Sequence, residues 1–218
     1  MGKDRIIHMK NKNLRVVVAV LSAAVLVTGL CACGGKNAGE TENQSGTQTE
    51  TQEGTAEKVD AADATDLFTK VWDSFDAESE KFAAIGGSVE NPVDNAPGQF
   101  PVDNAENLDA SLGFPTAQVA NIDDAASLMH MMNANTFTGA VYHLADSQKQ
   151  EEVALALKDN IMQRQWLCGA PERMTIWSVG NEYVVCVFGI EQNVSVFKTR
   201  LEGIYENAEV LFDESLVE

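Results

Sequence analysis

The polar composition of residues 34–61 is the feature that most limits where this chain can fold. The segment consists largely of Gly, Thr, Glu, Gln, Asn and Ser, and Val59 is its only bulky apolar residue. Such a composition buries too little apolar surface to offset the entropy lost on ordering. We therefore expect a disordered acidic tether at 33–61, roughly 30 Å from end to end as a flexible coil, and a single folded domain at 62–218.

The chain before this tether has the layout of an export signal. Basic residues precede an apolar run at 16–30, which is too short to span a bilayer as a mature helix but suits a signal-peptide core. The run ends in Leu30-Cys31-Ala32-Cys33, and the order Leu-x-Ala-Cys resembles the lipobox of bacterial lipoproteins. We predict a signal peptide at 1–32 and a diacylglyceryl and palmitate anchor on Cys33.

Two alternatives concern this N-terminus. An uncleaved anchor helix is the weaker one, because a Cys followed by Gly-Gly and a polar tail has no role in a spanning helix. Translation can start at Met1 or at Met9, since Met9 already opens a complete basic segment. In either case we expect a protein at the cell membrane, lipid-anchored and facing the extracellular side.

The excess of acidic residues argues against some kinds of binding partner and favours others. The chain has 15 basic and 33 acidic residues, for a net charge of -18. Binding to nucleic acid depends on Lys and Arg that neutralise phosphates, so we expect no nucleic-acid partner. An acidic surface favours cationic partners and solubility, and says nothing about the fold.

Hydrophobic periodicity predicts an α+β domain. Asp63 or Thr65 can cap a first helix that ends at Gly86-Gly87, and Asp123-Asp124 can begin a second helix that runs through Asn133. The later predicted elements begin with a strand at 138–144 and a helix at 147–167 that has Val153, Leu157, Ile161 and Gln165 on one face. A hairpin of 174–179 and 182–190 around Gly180-Asn181, a helix from Asn193 or Ser195, and a strand at 209–213 follow.

This order after the two helices is β-α-β-β-α-β, at about 137–213, which is the split order of ferredoxin-like folds. We therefore predict a ferredoxin-like core preceded by two helices and a long loop at 88–112. That loop holds a near-duplication, Pro-Val-Asp-Asn-Ala at 92–96 and again at 101–105.

The loop also lies within a stretch without cations. No Lys or Arg occurs between Lys81 and Lys149, whereas carboxylates are frequent. Oxygen ligands of this kind suit calcium, but the spacing matches no EF-hand loop. A solvated acidic loop is the default interpretation, and a calcium or small-solute site at 90–109 is the alternative. The candidate ligands are Asp94, Asp103, Glu106 and Asp109, and no other cofactor is predicted.

Two cysteines lie within the predicted domain. Outside the cytoplasm Cys168 and Cys186 can form a disulfide. A two-residue hairpin turn would place Cys186 opposite Thr175, within reach of the helix end near Cys168. A bridge and two buried free thiols both remain as interpretations.

Motifs for catalysis are missing from the sequence. It contains no Gly-x-Ser-x-Gly, no Walker loop and no His-Glu-x-x-His. After export only His130 and His143 remain as histidines. Asp123 and Asp124 would point about 100° apart on a helix, so they are interpreted as N-terminal helix charges. The sequence therefore predicts a non-enzymatic protein.

Three segments carry a resemblance to a known family: Phe114-Pro115, residues 139–164, and Gly180-Asn181-Glu182-Tyr183-Val184-Val185. Residues 112–205 resemble an uncharacterised extracytoplasmic domain of lipoproteins from Gram-positive gut bacteria, of the clostridial type. Those proteins have the same layout of lipobox, acidic tether and small α/β domain. The resemblance implies a location and a fold, and it implies no mechanism.

The leading interpretation is thus a surface lipoprotein whose domain is a binding or accessory module, beside a transporter or an envelope assembly. The alternative is a calcium- or small-solute-binding lipoprotein that uses the loop at 90–109. A third class, an envelope hydrolase, lacks a recognisable nucleophile and base.

Overall fold

The computed structural model describes residues 59–167 and 169–217. The predicted signal peptide, Cys33, most of the predicted tether and Cys168 lie outside these residues. Over the described ranges, no helix is both long enough and apolar enough to cross a membrane.

The described residues form one sheet with helices on both faces. The α-helices are α1 (Ala64–Asp73), α2 (Ala105–Leu112), α3 (Gln150–Met162) and α4 (Glu191–Ile204). The strands are β1 (Ala84–Gly87), β2 (Pro92–Asp94), β3 (Gly98–Gln99), β4 (Ile122–His130), β5 (Phe137–Leu144), β6 (Arg173–Val179), β7 (Tyr183–Gly189) and β8 (Ala208–Ser215). Short 3₁₀ helices occupy Thr116–Asn121, Ala134–Thr136 and Ser147–Lys149.

The sheet runs in the order β2-β1-β4-β5-β7-β6-β8, and β3 also pairs with β4. All of its pairings are antiparallel. Side chains along the central strands alternate between two hydrophobic cores. The first core lies on the α1 and α4 side and includes Phe68, Val141 and Phe197. The second core lies on the α2 and α3 side and includes Leu108 and Tyr142.

The first helix begins as predicted but is shorter. Asp63 caps α1, because its carboxylate accepts from the amide of Asp66. The helix ends at Asp73 and not at Gly86. The reason is a competing turn, in which the carboxylate of Asp76 accepts from the amides of Glu78 and Ser79. Gly86 and Gly87 lie instead in β1.

The helix predicted at 123–133 is wrong, because these residues form β4. Adjacent residues of β4 are buried in opposite cores: Ala125 in the second and Ala126 in the first. A strand buried on both faces shows a continuous apolar run, which periodicity cannot distinguish from a helix. The pairing partners β1 and β5 decide the outcome.

The strand predicted at 138–144 and the two later helices are confirmed with shifted ends. On the predicted α3 face Val153, Leu157 and Ile161 are buried, but the helix ends at Met162 and not at 167, so Gln165 lies beyond it and is exposed. Helix α4 begins at Glu191, before the predicted Asn193.

The hairpin of β6 and β7 is confirmed, but its turn has a different length. Val179 pairs with Tyr183, so three residues form the connection, and Gly180 adopts a positive φ of 53°. The longer turn shifts the register by one residue. Cys186 therefore lies opposite Ile176 and not opposite Thr175, as the two-residue turn predicted.

The α+β class is thus correct, whereas the ferredoxin-like topology is not confirmed. The predicted order of elements after residue 137 is present. However, β8 pairs with β6 at the edge of the sheet and not with β5. Strand β5 already pairs with β4 on one side and β7 on the other, so no edge of β5 is free for β8.

An ion pair fastens β8 to β6. Arg173 Nε donates to Asp213 Oδ1 over 2.7 Å, and Thr175 Oγ1 donates to the same oxygen over 3.2 Å. Lys198 Nζ lies 3.6 Å from the other carboxylate oxygen. The hydrogen bond from Arg173 is the main cause that lowers the pKa of Asp213.

This pair predicts a pH-dependent contribution to stability. The pKa of Asp213 is lower in the folded state, so its contribution is complete above the unfolded pKa, near 3.8, and is lost as the pH falls through the folded pKa. We expect Asp213→Asn to lower the free energy of unfolding by about 1 kcal/mol at neutral pH. The difference from the parent should shrink below about pH 4.

Urea unfolding at a series of pH values measures this effect. Asp73→Asn is the control, because Asp73 is mostly exposed and its oxygen lies 3.7 Å from Lys81 Nζ. A difference between Asp213→Asn and the parent that stays constant from neutral pH to pH well below 3.8 would contradict the assignment.

Candidate functional site

The predicted loop at 88–112 is ordered because its backbone approaches β1 very closely. A Cβ on Gly86 would lie 2.5 Å from the amide nitrogen of Gly98, and a Cβ on Gly98 would lie 2.7 Å from the amide nitrogen of Gly87. No side chain fits at such distances, so the close approach requires glycine at both positions. The loop therefore folds back over β1 and does not extend into solvent.

Hydrogen bonds to the core fix this loop further. Trp72 Nε1 donates to the carbonyl of Asn95 over 2.9 Å, and the amide of Phe100 donates to the carbonyl of Ala125 in β4 over 2.8 Å. Asn95 has a φ of 55°, a left-handed conformation that Asn tolerates better than most residues. Helix α1 and β4 thus both hold the loop in place.

The fixed loop encloses a concave pocket of about 440 Å³. Its lining residues are Asn91, Val93, Gln99, Pro101, Val102 and Asp103. Apolar side chains form half of this set, and two amides and one carboxylate form the rest. A volume and a lining of this kind suit a small molecule or one side chain of a partner protein. We refer to these six residues as the loop pocket.

The two copies of Pro-Val-Asp-Asn-Ala have different structures. In the first copy Pro92, Val93 and Asp94 form β2. In the second copy Asn104 caps α2, since its side chain accepts from the amide of Asn107 over 2.9 Å. The repeat therefore marks no structural duplication.

The four candidate calcium ligands are distributed over different elements. Asp94 ends β2 and is exposed, and Asp103 lines the loop pocket. Glu106 and Asp109 lie on α2 and line a separate cleft of about 360 Å³. In the two ranges that the structure describes, no group of three or more His, Cys, Asp or Glu residues is arranged to hold a metal ion. The calcium prediction gains no geometric support from these residues.

The cleft beside α2 is lined by Arg164, whose guanidinium already forms hydrogen bonds within the protein. Arg164 donates to the carbonyls of Asp109 and Ala110 over 2.9 and 2.8 Å, at the C-terminal end of α2. Asn160 Nδ2 donates to Asp109 Oδ1 and to the carbonyl of Gly113, both over 2.8 Å. These bonds satisfy helix-end carbonyls and join α2 to α3, which is a structural role.

A pairing of histidine with aspartate occurs at the start of β4. The register of β4 against β5 shifts between Ile122 and Asp124, and Asp124 lies opposite His143. Across this bulge His143 Nδ1 is hydrogen-bonded to Asp123. The N–H at Nδ1 donates this bond and the carboxylate oxygen accepts it, which fixes the orientation of the imidazole ring.

The ring of His143 also packs edge-on against Tyr183, with centroids 5.0 Å apart. Burial is the main cause that raises the pKa of Tyr183 to about 12, and nearby carboxylates raise it further. These are Glu182, Asp124, Asp63 and Asp123. This end of the domain is therefore strongly acidic.

An oriented imidazole can act as a base, but the hydrogen bonds described for 59–167 and 169–217 join it to no hydroxyl or thiol. Asp124 has a structural partner of its own, because it accepts from the amide of Ala64 over 2.9 Å and so docks the start of α1 on β4. Acyl or phosphoryl transfer would need a nucleophile beside this pair, and the described residues place none in hydrogen-bond contact with it.

Sequence reasoning missed this pair, because the helix assigned to 123–133 separated Asp123 from His143. A strand assignment for β4 would have placed the two residues on adjacent strands. His130 also has a local role: its Nδ1 accepts from the amides of Met132 and Asn133, and its ring stacks on Phe82.

Cys186 is buried in the second core and forms no disulfide with another of the described residues. Burial raises the pKa of this thiol well above its usual range. Cys168 lies outside the described residues, so the pairing of the two cysteines stays a prediction.

Comparison with known proteins assigns this geometry to no family. No family model, no curated protein and no solved structure matches the chain.

The close packing of the loop yields a testable prediction. Gly86→Ala should lower the free energy of unfolding by about 1–3 kcal/mol, because the added methyl group overlaps backbone atoms that cannot move independently. Gly203→Ala is the matched control, since a Cβ there meets nothing within 4 Å and the residue lies in α4. It should leave stability unchanged or raise it by up to about 1 kcal/mol. Equal effects of the two changes in urea unfolding would contradict the described loop.

Proposed function

We propose that this chain is a lipoprotein anchored through Cys33 at the extracellular side of the cell membrane, and that its domain is a non-enzymatic binding or accessory module. Its support begins with the lipobox at 30–33 and the polar segment that follows it. A lipid anchor followed by a flexible spacer displays a folded domain at a distance from the bilayer.

The observation that carries the binding function is the loop pocket. Close packing at Gly86 and Gly98 and two hydrogen bonds to the core fix the loop. Preorganised concave surfaces bind with a smaller loss of entropy than mobile loops. The loop pocket has this property, because close packing at Gly86 and Gly98 and the left-handed backbone of Asn95 fix the conformation of its loop.

The charge supports a protein partner and not the membrane surface. The net charge of -18 opposes contact with anionic lipid headgroups, which attract basic segments. The same charge favours encounter with a basic surface of an envelope or membrane protein. The resemblance to tethered extracytoplasmic domains agrees with this role.

Site-specific cross-linking in cells tests this proposal. A photoreactive amino acid at Val93, which is exposed and lines the loop pocket, should capture one membrane or envelope protein in a stoichiometric adduct. The matched control is Met162, which is similarly exposed at the end of α3 and should give no adduct.

Cys33→Ala serves as a second control in the same experiment. Loss of the anchor should release the protein from the membrane fraction, abolish labelling by an alkyne palmitate analogue and strongly reduce the adduct. If the Val93 probe captures nothing above the Met162 background, the accessory-module proposal fails at this surface.

A second candidate function is binding of a small solute by the same loop. All residues that line the loop pocket lie between 91 and 103, within the loop at 90–109 that the sequence singled out. The lining chemistry suits a solute with an apolar body and a cationic or hydrogen-bond-donating group that Asp103 can contact.

Thermal unfolding with added ligands separates this candidate from the first. A solute with an amine and a short aliphatic body should raise the Tm of the parent but not of Asp103→Asn, because the variant loses the carboxylate charge. Millimolar calcium is tested in parallel with Asp94→Asn and Asp103→Asn. A calcium-dependent rise in Tm that these changes remove would favour the calcium version, and no rise with any ligand would exclude this candidate.

A further inference from the structure

The two edges of the sheet differ in how they are protected. Strand β2 has three residues and begins with Pro92, and short edges with proline resist pairing with other chains. Strand β8 has eight residues, pairs only with β6 among the described residues, and is protected only by a shift of register at Leu211 and by three carboxylates, without Pro or Lys. A long edge of this kind is a template for an added strand.

One backbone hydrogen bond shows which amides of β8 point towards β6 and which point away from it. The amide of Leu216 donates to the carbonyl of Glu172 on the β6 side over 2.8 Å. Hydrogen-bonded and non-hydrogen-bonded pairs alternate along an antiparallel ladder. In the register that pairs Glu214 with Met174, the amides of Asp213 and Ser215 therefore point away from β6.

Apolar side chains lie on both faces beside this edge. On the α3 face a groove of about 250 Å³ is lined by Glu151, Leu155, Leu211 and Phe212. A shift of register at Leu211 brings it to the same face as Phe212, and both pack against the second core. Leu155 is 47% exposed, and Val210, on the α4 face, is 41% exposed. An added strand would bury these side chains.

The charges around the groove favour a basic occupant. Glu209 and Glu214 lie on either side of Leu211 and Phe212, and Glu151 lines the groove. Lys158 also lies beside the groove, with its side chain over the ring of Phe212 and close to Asp159. In a centred antiparallel pair of two β8 strands, Glu209 of one copy would face Glu214 of the other. Like charges in that position are destabilising, which disfavours a second copy as the occupant.

We propose that β8 binds, by strand addition, an extended segment of a partner protein in which apolar residues alternate with Lys or Arg. The proposal rests on the binding function proposed above and assigns to it a surface separate from the loop pocket. Backbone hydrogen bonds to Asp213 and Ser215 would provide affinity, and the groove with its flanking carboxylates would select the side chains.

A labelled peptide tests the proposal on the full chain in detergent. The probe is a fluorescein-labelled, end-capped peptide of alternating Lys and Val, equal in length to β8, measured by fluorescence anisotropy. We expect saturable binding, and at least about tenfold weaker binding when Glu replaces Lys in the peptide. N-methylation of alternate amides on one edge of the peptide should also weaken binding about tenfold, because it removes bonds that only strand pairing makes.

Matched variants of the protein test the same contact. Ser215→Pro removes an amide hydrogen that points away from β6 and should weaken binding about tenfold. Ser215→Ala removes only the hydroxyl, which donates to the carbonyl of Val217, and should bind like the parent. The N-methylated peptides leave the protein unchanged, so they decide the question even if Ser215→Pro is poorly folded.

Three results would overturn the proposal. These are equal affinities for Ser215→Pro and Ser215→Ala in folded protein, insensitivity to N-methylation on either edge, and a dimer in sedimentation equilibrium that Ser215→Pro dissociates. Cross-linking from Val93 distinguishes failure of the strand-addition proposal from failure of the proposed binding function. If Ser215→Pro with the probe at Val93 forms the adduct as efficiently as the parent with that probe, the proposed binding function stands and β8 takes no part in it.

Discussion

Burial of both faces of the central strands is the constraint on which the rest of this structure depends. Strand β7 is buried along its whole length, and β5 is buried except at His143. Alternate side chains must therefore fill two separate cores, with α1 and α4 over one and α2 and α3 over the other. Because a shift of one residue would exchange the two sets, this burial also fixes the register of the sheet.

The same constraint determines where the surface sites occur. With β5 paired on both sides, the chain must place its last strand beside β6, and β8 becomes an edge. At the opposite end of the sheet the loop between β1 and β3 folds back over β1, which glycine at 86 and 98 permits. Both candidate binding surfaces are thus consequences of how the sheet ends, and the centre of the sheet only supports them.

Local signals in the sequence were sufficient for the elements that depend on local chemistry. The cap at Asp63, the α3 face with Val153 and Leu157, and the hairpin at Gly180 could be predicted because neighbouring residues decide them. Strand β4 could not, because pairing with distant strands decides its conformation. For the same reason the sequence analysis predicted neither the contact between Asp123 and His143 nor the shape of the loop pocket, although it identified the loop itself as a candidate site. They arise from a bulge and from backbone approaches between residues far apart in sequence.

Hydrogen exchange of the amides of β8, followed residue by residue in the full chain, tests the open edge most directly. The described sheet predicts alternation: the amides of Glu214 and Leu216 are protected by β6, whereas those of Asp213 and Ser215 exchange at rates close to those of an unfolded chain. Protection of all four amides in the absence of a partner would show that another segment covers this edge. That result would contradict the account of β8 as a free surface for binding.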